Sequence, residues 1–140
     1  MSTSTEQSRY HAVFYANASG REIAREWLRD LSQVKRSGAG HYVRAVLQDI
    51  GPDVCGTRWG KNLGGGLMEF RIDSDEPPGN RAVSVLLRVF FHPFGDRNLL
   101  LLDGYDKGEN PSPIYQNKRI SSARGYLKDF QLRVLPTLSI

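Results

Sequence analysis

The stretch LGGGLMEFRI, residues 63 to 72, joins three consecutive glycines to a segment in which apolar and charged side chains alternate. Met68, Phe70 and Ile72 have one parity, and Glu69 and Arg71 have the other. Because successive side chains of a strand point to opposite faces, the alternation predicts a strand with one apolar face and one charged face. The glycines predict a backbone joint that allows a tight entry into this strand.

The segments that follow keep the same two-residue period. RAVSVLLRVFFHPF, residues 81 to 94, and LLLLDGY, residues 99 to 105, predict two further strands, separated by the turn-rich stretches DSDEPPGN and HPFGDRN. In the first of these strands, Val83, Val85, Leu87 and Val89 are expected to face the helices. Arg88 then points to the opposite face, which it shares with Arg71.

Helical spacing appears before and after this meander. YHAVFY, residues 10 to 15, predicts a strand, and Ser19 with Glu22 forms a capping box for a first helix. After a break at SGAG, residues 37 to 40, the apolar positions from Tyr42 to Ile50 predict a second helix. A last helix is predicted to start at Ser112 and Pro113.

The order β-α-α-β-β-β-α predicts a small α+β fold. We expect an antiparallel sheet of about four strands with the helices packed on one face and the other face open. The chain of 140 residues is expected to form one domain, with irregular tails at residues 1 to 8 and 134 to 140.

Composition excludes several classes of protein. No apolar run approaches the ~20 residues of a membrane-spanning helix, and the polar start has no secretory signal, so we expect a cytoplasmic protein that does not insert into membranes. The single cysteine, Cys55, allows no internal disulfide. No metal or cofactor is expected.

The excess positive charge is concentrated at the end of the chain. The net charge is +4, and residues 112 to 140 hold five basic side chains against the single acid Asp129. The five are Lys118, Arg119, Arg124, Lys128 and Arg133. This segment fits either an anionic partner such as RNA or a solvated basic helix.

Arg88 lies inside the apolar run VLLRVFF. Because burying an unpaired guanidinium is costly, Arg88 must have a carboxylate partner or reach the surface. One interpretation is a structural ion pair with Glu69 across neighbouring strands. The other is a cationic sheet face built from Arg71, Arg88 and, past the last strand, Lys107.

Three motifs together carry a family resemblance. KNLGGGLMEFRI, residues 61 to 72, is followed by the strand LLRVFF with Arg88, by Lys107 after the last strand, and by a basic amphipathic helix. This succession resembles the RelE/ParE superfamily of bacterial toxins, most closely its HigB-like, phage-derived branch, over roughly residues 9 to 133. The first motif has one glycine more than the family pattern.

The resemblance implies a toxin of a type II toxin-antitoxin system, an endoribonuclease (mRNA interferase) that cleaves messenger RNA, commonly at the ribosome, and that needs no metal. It also implies a cognate antitoxin, usually with a helix-turn-helix part. The family reaction is attack of a ribose 2′-OH on the adjacent phosphate. The alternatives are a non-enzymatic inhibitor of a macromolecule such as DNA gyrase, as found in the same superfamily, and an inactive remnant.

Site residues follow from the matched positions. Arg71 and Arg88 are expected to clamp the phosphate, with Lys107 as electrostatic helper or acid. Glu69 is a candidate general base, and Tyr105 and Tyr115 are candidates for proton transfer or base stacking. Further contacts to RNA are expected from Lys61, Tyr115, Lys118 and Arg119.

Two features depart from the family. The loop DSDEPPGN, residues 73 to 80, is acidic through Asp73, Asp75 and Glu76, which could repel or reshape the approach of RNA near Arg71. Glu69 is acidic where more distant ribosome-dependent relatives have a basic residue.

His92, before Pro93 at a strand end, is interpreted as a turn histidine rather than a catalytic one.

Overall fold

A computed structural model describes residues 8 to 74 and 84 to 139, and it contains one five-stranded sheet in the order β1-β5-β4-β3-β2. The strands are β1 (His11–Phe14), β2 (Gly60–Gly64), β3 (Leu67–Ser74), β4 (Val85–Phe94) and β5 (Asn98–Asp106). β1 runs parallel to β5, and the other neighbouring strands are antiparallel. The α+β class predicted from the sequence is confirmed.

The sheet differs from the prediction in two respects. It is mixed rather than antiparallel, because the helices that follow β1 carry the chain across the sheet before the meander begins. It also has a fifth strand, β2, which pairs with β3 at one edge. β2 has the sequence GKNLG and exposes Lys61 and Asn62 to solvent, so it lacks the apolar alternation by which buried strands are recognised.

The first helices begin at residues that differ from the predicted ones. Helix α1 spans Ile23–Asp30 with Glu22 as its N-cap, so the capping box at Ser19 is wrong. The backbone N–H of Ser19 instead donates to the side chain of Asn17. Asn17 also accepts from the N–H of Arg21, and this turn delays the start of the helix by about one turn.

Helix α2 spans Gln33–Tyr42 and therefore includes the SGAG segment that was predicted as a break. Ser32 caps it by accepting a hydrogen bond from the N–H of Lys35. Gly38 and Ala39 are buried, and their small size lets the helix approach the sheet closely, which outweighs the low helix propensity of glycine. A π-helical turn (Val43–Leu47), a short α-helical piece (Gln48–Ile50) and a 3-10 helix (Gly51–Gly56) continue the chain.

Helix α3 spans Pro113–Asp129 and starts as predicted, with the Ser112 hydroxyl accepting from the N–H groups of Ile114 and Tyr115. Helical turns continue through Phe130–Val134 and Leu135–Ser139, so the irregular tail predicted from residue 134 is wrong over residues 134 to 139. The hydroxyl of Tyr15 donates to Asp129 at 2.6 Å and ties the end of α3 to the chain after β1.

Two apolar cores lie on opposite faces of the sheet. On one face, Phe70, Ile72, Leu87 and other side chains pack against the helices between β1 and β2. On the other face, Leu67, Phe90, Leu100 and Leu102 pack against α3. The expectation that all helices share one face is therefore wrong, and α3 partly covers the face that was predicted to be open.

Some predictions fall outside the described residues. These are the placement of Val83 towards the helices, the acidic residues Asp75 and Glu76, and the tail at residues 1 to 7. Within the described ranges, no helix is both long enough and apolar enough to cross a membrane.

Candidate active site

Three of the predicted site residues form one row across the sheet. Arg71 of β3 pairs in register with Arg88 of β4, and Arg88 pairs in register with Tyr105 of β5. Directly opposed residues of neighbouring strands project from the same face. The two arginines therefore lie side by side on one face, as the sequence predicted, but that face carries α3 instead of being open.

A second row on the same face adds two further predicted residues. Lys61 of β2 pairs in register with Glu69, which pairs with Phe90, which pairs with Asp103. Glu69 and Arg71 are two residues apart on β3, so the two rows are neighbours. Lys61, Glu69, Arg71, Arg88 and Tyr105 thus occupy one area of the sheet.

Glu69 is fully buried, and its carboxylate has two polar neighbours. Arg71 Nε donates to Oε1 at 2.9 Å, and Gln116 Nε2 of α3 lies 3.5 Å from Oε2. The Arg71 side chain keeps 30% of its surface exposed. Arg71 therefore reaches from the buried carboxylate to the solvent-accessible rim of the site.

Arg88 is almost completely buried, and its counter-ion is Asp73 rather than Glu69. Arg88 Nη1 donates to Asp73 Oδ1 at 2.6 Å and to the carbonyl oxygen of Leu87 at 3.0 Å. The side chain of Arg88 is 5% exposed, whereas that of Asp73 is 48% exposed. The ion pair predicted for Arg88 is present, but with a partner that the sequence analysis assigned to the acidic loop.

Arg119 of α3 forms a third ion pair, with the buried carboxylate of Asp103 on β5. Asp103 also accepts a hydrogen bond from the N–H of Gly104 at 2.8 Å. Burial raises the pKa of Asp103, and the positive charge of Arg119 opposes that rise. The structure thus makes Arg119, which was predicted to bind RNA, the partner of the buried Asp103, with 28% of the Arg119 side chain exposed.

The charges of this face are balanced rather than uniformly cationic. Three arginines lie beside three carboxylates, in the pairs Arg71 with Glu69, Arg88 with Asp73, and Arg119 with Asp103. The physical reason is burial, because an ion removed from water persists only with a partner of opposite charge. The alternation of side chains predicted a cationic face because it identifies the arginines on that face but not the carboxylates that neutralise them.

The remaining predicted basic residues lie around the site. Lys107 directly follows β5, and its backbone N–H donates to the carbonyl oxygen of Leu86 at 2.9 Å, two positions beyond the row of Arg88 and Tyr105. It is half-buried, whereas Lys61 and Lys118 are exposed. Lys107 therefore lies beside the row of Arg88, Lys61 is the exposed end of the second row, and Lys118 lies on the outer surface of α3.

Tyr105 lies at the centre of an aromatic group. Its ring stacks on Phe90 with centroids 6.0 Å apart and meets the edge of Tyr115 at 5.5 Å. Burial and the negative charge of Glu69 raise the pKa of Tyr105, and the charges of Arg88 and Arg71 act in the opposite direction. The hydroxyl is protonated at neutral pH, so Tyr105 is suited to donate a proton or hydrogen bond rather than to act as a base.

Buried polar atoms without a partner are concentrated at this site. Among the described residues, Arg88 Nε, Tyr105 Oη and Arg119 Nε are the buried side-chain nitrogen and oxygen atoms that have no hydrogen-bond partner. Buried donors are normally satisfied. Two of these three, Arg88 Nε and Tyr105 Oη, belong to the cross-strand row.

The glycine joint positions β3 for this arrangement. Gly64, Gly65 and Gly66 all have positive φ angles, of 87°, 64° and 85°, which disfavour other residues. His92 Nδ1 lies 2.7 Å from the carbonyl oxygen of Gly66, and Arg124 donates to the carbonyl oxygens of Leu63 and Gly64. His92 thus binds the joint itself.

Sequence reasoning missed two contributors to the site, Asp103 and Gln116. Asp103 ends the apolar run LLLLD, and a carboxylate directly after four leucines is a signal of a buried ion pair. Gln116 gave no such signal, because its role depends on how α3 lies across the sheet.

Comparison with known proteins adds no assignment to these observations. No model of a protein family matches the chain, and no curated protein matches it.

Proposed function

We propose that this protein is an endoribonuclease that cleaves RNA by attack of a ribose 2′-OH on the adjacent phosphate. The observation that supports the proposal is the cross-strand row in which Arg71 and Arg88 are direct neighbours on one face and Tyr105 is the next residue. Two arginines on neighbouring strands suit the oxygens of one phosphodiester, because each presents forked donors.

The reaction requires one group to accept a proton and another to supply one. As the 2′-oxygen forms its bond to phosphorus, Glu69 accepts the 2′-OH proton, and Arg71 beside it orients the carboxylate. As the bond between phosphorus and the 5′-oxygen breaks, Tyr105 or Lys107 supplies a proton to the leaving oxygen. The products are a 2′,3′-cyclic phosphate and a free 5′-OH.

Stabilisation of the transition state is assigned to the two arginines. Negative charge accumulates on the phosphate oxygens during attack, and fixed donors that need no reorganisation stabilise it best. Arg88 is held by Leu87 and by its burial, so its position is fixed before substrate arrives. Arg71, with its partly exposed side chain, lies where an RNA strand would enter.

The resemblance to the RelE/ParE toxins suggests the substrate and the partner. The proposed substrate is messenger RNA at the ribosome, and the proposed partner is a small antitoxin with a helix-turn-helix part. Tyr115, at the edge of Tyr105, provides a half-buried aromatic surface on which a base can stack. Lys61 and Lys118 are exposed and available for backbone phosphates.

Expression of the chain in bacteria without an antitoxin tests the proposal. We expect growth arrest, with breaks in messenger RNA that primer extension maps and that end in a 2′,3′-cyclic phosphate. Arg88→Ala is expected to abolish the breaks while circular dichroism shows a folded protein. Arg29→Ala, which removes an exposed arginine from α1 on the other side of the sheet, is the matched control and retains them.

A second candidate is an inhibitor that binds a macromolecule without cleaving RNA. The observation that favours it is the balanced charge of the site, where each of the three arginines already has a carboxylate partner. Growth arrest with DNA damage and without breaks in messenger RNA would select this candidate. Normal growth would select the inactive remnant.

A further inference from the structure

Asp73 places a carboxylate on the buried guanidinium of Arg88. It lies on β3 two residues after Arg71, at the row next to the arginines, and therefore on the same face. The distance from Arg88 Nη1 to Asp73 Oδ1 is 2.6 Å, as expected for a charge-assisted hydrogen bond. An anion is thus already bound where the proposed function requires a phosphate.

Arg88 and Asp73 differ in how easily each side chain can move into solvent. Arg88 is 5% exposed and is also bound to the carbonyl oxygen of Leu87, so it cannot follow Asp73 into solvent. Asp73 is 48% exposed, and its carboxylate can be hydrated without unfolding of the strand. Separation of the pair therefore leaves Arg88 in place and needs a replacement anion, because an unpaired buried guanidinium is strongly unfavourable.

A phosphodiester satisfies that requirement. It carries one negative charge, as the carboxylate does, so the exchange leaves the buried charge balanced. It also has more acceptor positions than one carboxylate oxygen supplies here, and Arg88 Nε and Tyr105 Oη are buried donors without a partner among the described residues. The exchange would satisfy donors that Asp73 leaves unsatisfied.

We propose that Asp73 is the resident ligand of an oxyanion site formed by Arg88 and Tyr105, and that a phosphate group binds by displacing it. This inference rests on the proposed function and deepens it, because it makes Asp73 an autoinhibitory residue. The free protein is held in a neutral, closed state, and its apparent affinity for phosphate is lowered by the work of separating Asp73 from Arg88.

Binding measurements test the inference without any cleavage step. Inorganic phosphate and an RNA decamer with 2′-O-methyl ribose throughout, which has no free 2′-OH, are titrated into wild type and Asp73→Asn by calorimetry. We expect Asp73→Asn to bind phosphate on the order of tenfold more tightly, which is the lower range for loss of a charged hydrogen bond, and to gain more for the RNA. A gain for the RNA that exceeds the gain for phosphate identifies the RNA strand as the source of the anion, and equal gains identify phosphate itself.

Asp96→Asn is the matched control, since it makes the same charge change in the turn between β4 and β5. Asp96 is fully exposed and lies on the order of 20 Å along the hairpin from Arg88, beyond the screening length of physiological salt. Its affinity for phosphate is expected to remain that of wild type. In the double variant Asp73→Asn with Arg88→Lys, the gain is expected to disappear.

If Asp73→Asn destabilises the fold, thermal unfolding and nuclear magnetic resonance spectroscopy still test the inference. Phosphate must then raise the Tm of the variant more than the Tm of wild type, since a ligand stabilises the state that binds it. In unmodified protein, phosphate must shift both the Arg88 Nε–H resonance and the Asp73 carboxyl carbon in nuclear magnetic resonance spectra.

Unchanged phosphate affinity in a folded Asp73→Asn variant would overturn the inference, as would an Asp73 carboxyl signal that ignores phosphate. If either result is found in a protein that still cleaves RNA, only the role of Asp73 is contradicted. Conversely, if Asp73→Asn gains affinity for phosphate but the protein cleaves no RNA, the oxyanion site is supported and the ribonuclease function is contradicted.

Discussion

Arg71 of β3 and Arg88 of β4 are direct cross-strand partners on the face of the sheet that carries α3. Each is held by its own carboxylate, Glu69 or Asp73, so two like charges lie side by side without an unbalanced charge. Under the proposed function one phosphate contacts both arginines, so the two are expected to act as a unit.

Replacing both Arg71 and Arg88 by lysine is expected to slow RNA cleavage by a smaller factor than the two single-variant factors multiplied together. Lysine keeps the positive charge beside Glu69 and Asp73 and removes the forked donors. Each single variant is expected to slow cleavage on the order of 10²-fold, as for loss of one preorganised donor. Residues that contact the same group are coupled, so single-turnover rates of the double variant should fall by less than the two factors multiplied. Independent, fully multiplicative effects would show that the arginines do not act on one phosphate.

Glu69→Gln separates proton transfer from binding. Glutamine keeps the size of the buried side chain, and its amide oxygen can still accept from Arg71 Nε. Its amide nitrogen replaces the oxygen that faces Gln116 Nε2, and the side chain cannot accept the 2′-OH proton. Cleavage is expected to fall about 10² to 10⁴-fold, the usual range for loss of a general base. Binding of 2′-O-methyl RNA should not weaken, because the variant removes a negative charge from the site. A variant that cleaves at the wild-type rate would exclude Glu69 as the base.

The glycine joint is expected to respond differently at two of its positions. Gly66 has a φ of 85°, and a Cβ there would lie 3.1 Å from the ring of His92, which binds the Gly66 carbonyl oxygen. Gly64 has a φ of 87° with no atom within 4 Å of a Cβ, so it serves as the matched control. Urea unfolding should show that Gly64→Ala lowers the free energy of unfolding by about 1 kcal/mol, from backbone strain alone. Gly66→Ala should lose more, because the His92 contact is also displaced, and an equal loss in both variants would exclude a role for His92.

Tyr15 is expected to make the stability depend on pH in the alkaline range. Burial, followed by the hydrogen bond to Asp129, raises the pKa of Tyr15 from 10.0 to about 12. The neutral hydroxyl is favoured in the folded protein, so this contribution is complete below pH 10 and is lost as the pH rises from 10 to about 12. Urea unfolding at several pH values should show this fall in wild type and a smaller one in Tyr15→Phe. The same slope in both proteins would contradict the assignment.

Local patterns in the sequence predicted four of the five strands and the common face of Arg71 and Arg88. The alternation in LMEFRI and VLLRVFF placed Arg71 and Arg88 on a common face, because the two-residue period of a strand is set by its backbone. The same patterns misjudged α1 and α2. Hydrogen bonds of Asn17 override the capping box at Ser19, and packing against the sheet overrides the low helix propensity of SGAG.

The sequence by itself determined the α+β class, the charged parity of β3 and β4, and the start of α3 at Ser112 and Pro113. These features depend on residues close together in the chain. Only the tertiary structure decided that α3 covers the charged face, that Asp73 rather than Glu69 neutralises Arg88, and that Asp103 holds Arg119. The physical reason is that buried charges are paired by proximity in space, and the register of neighbouring strands and the docking of a helix bring together residues that no local spacing connects.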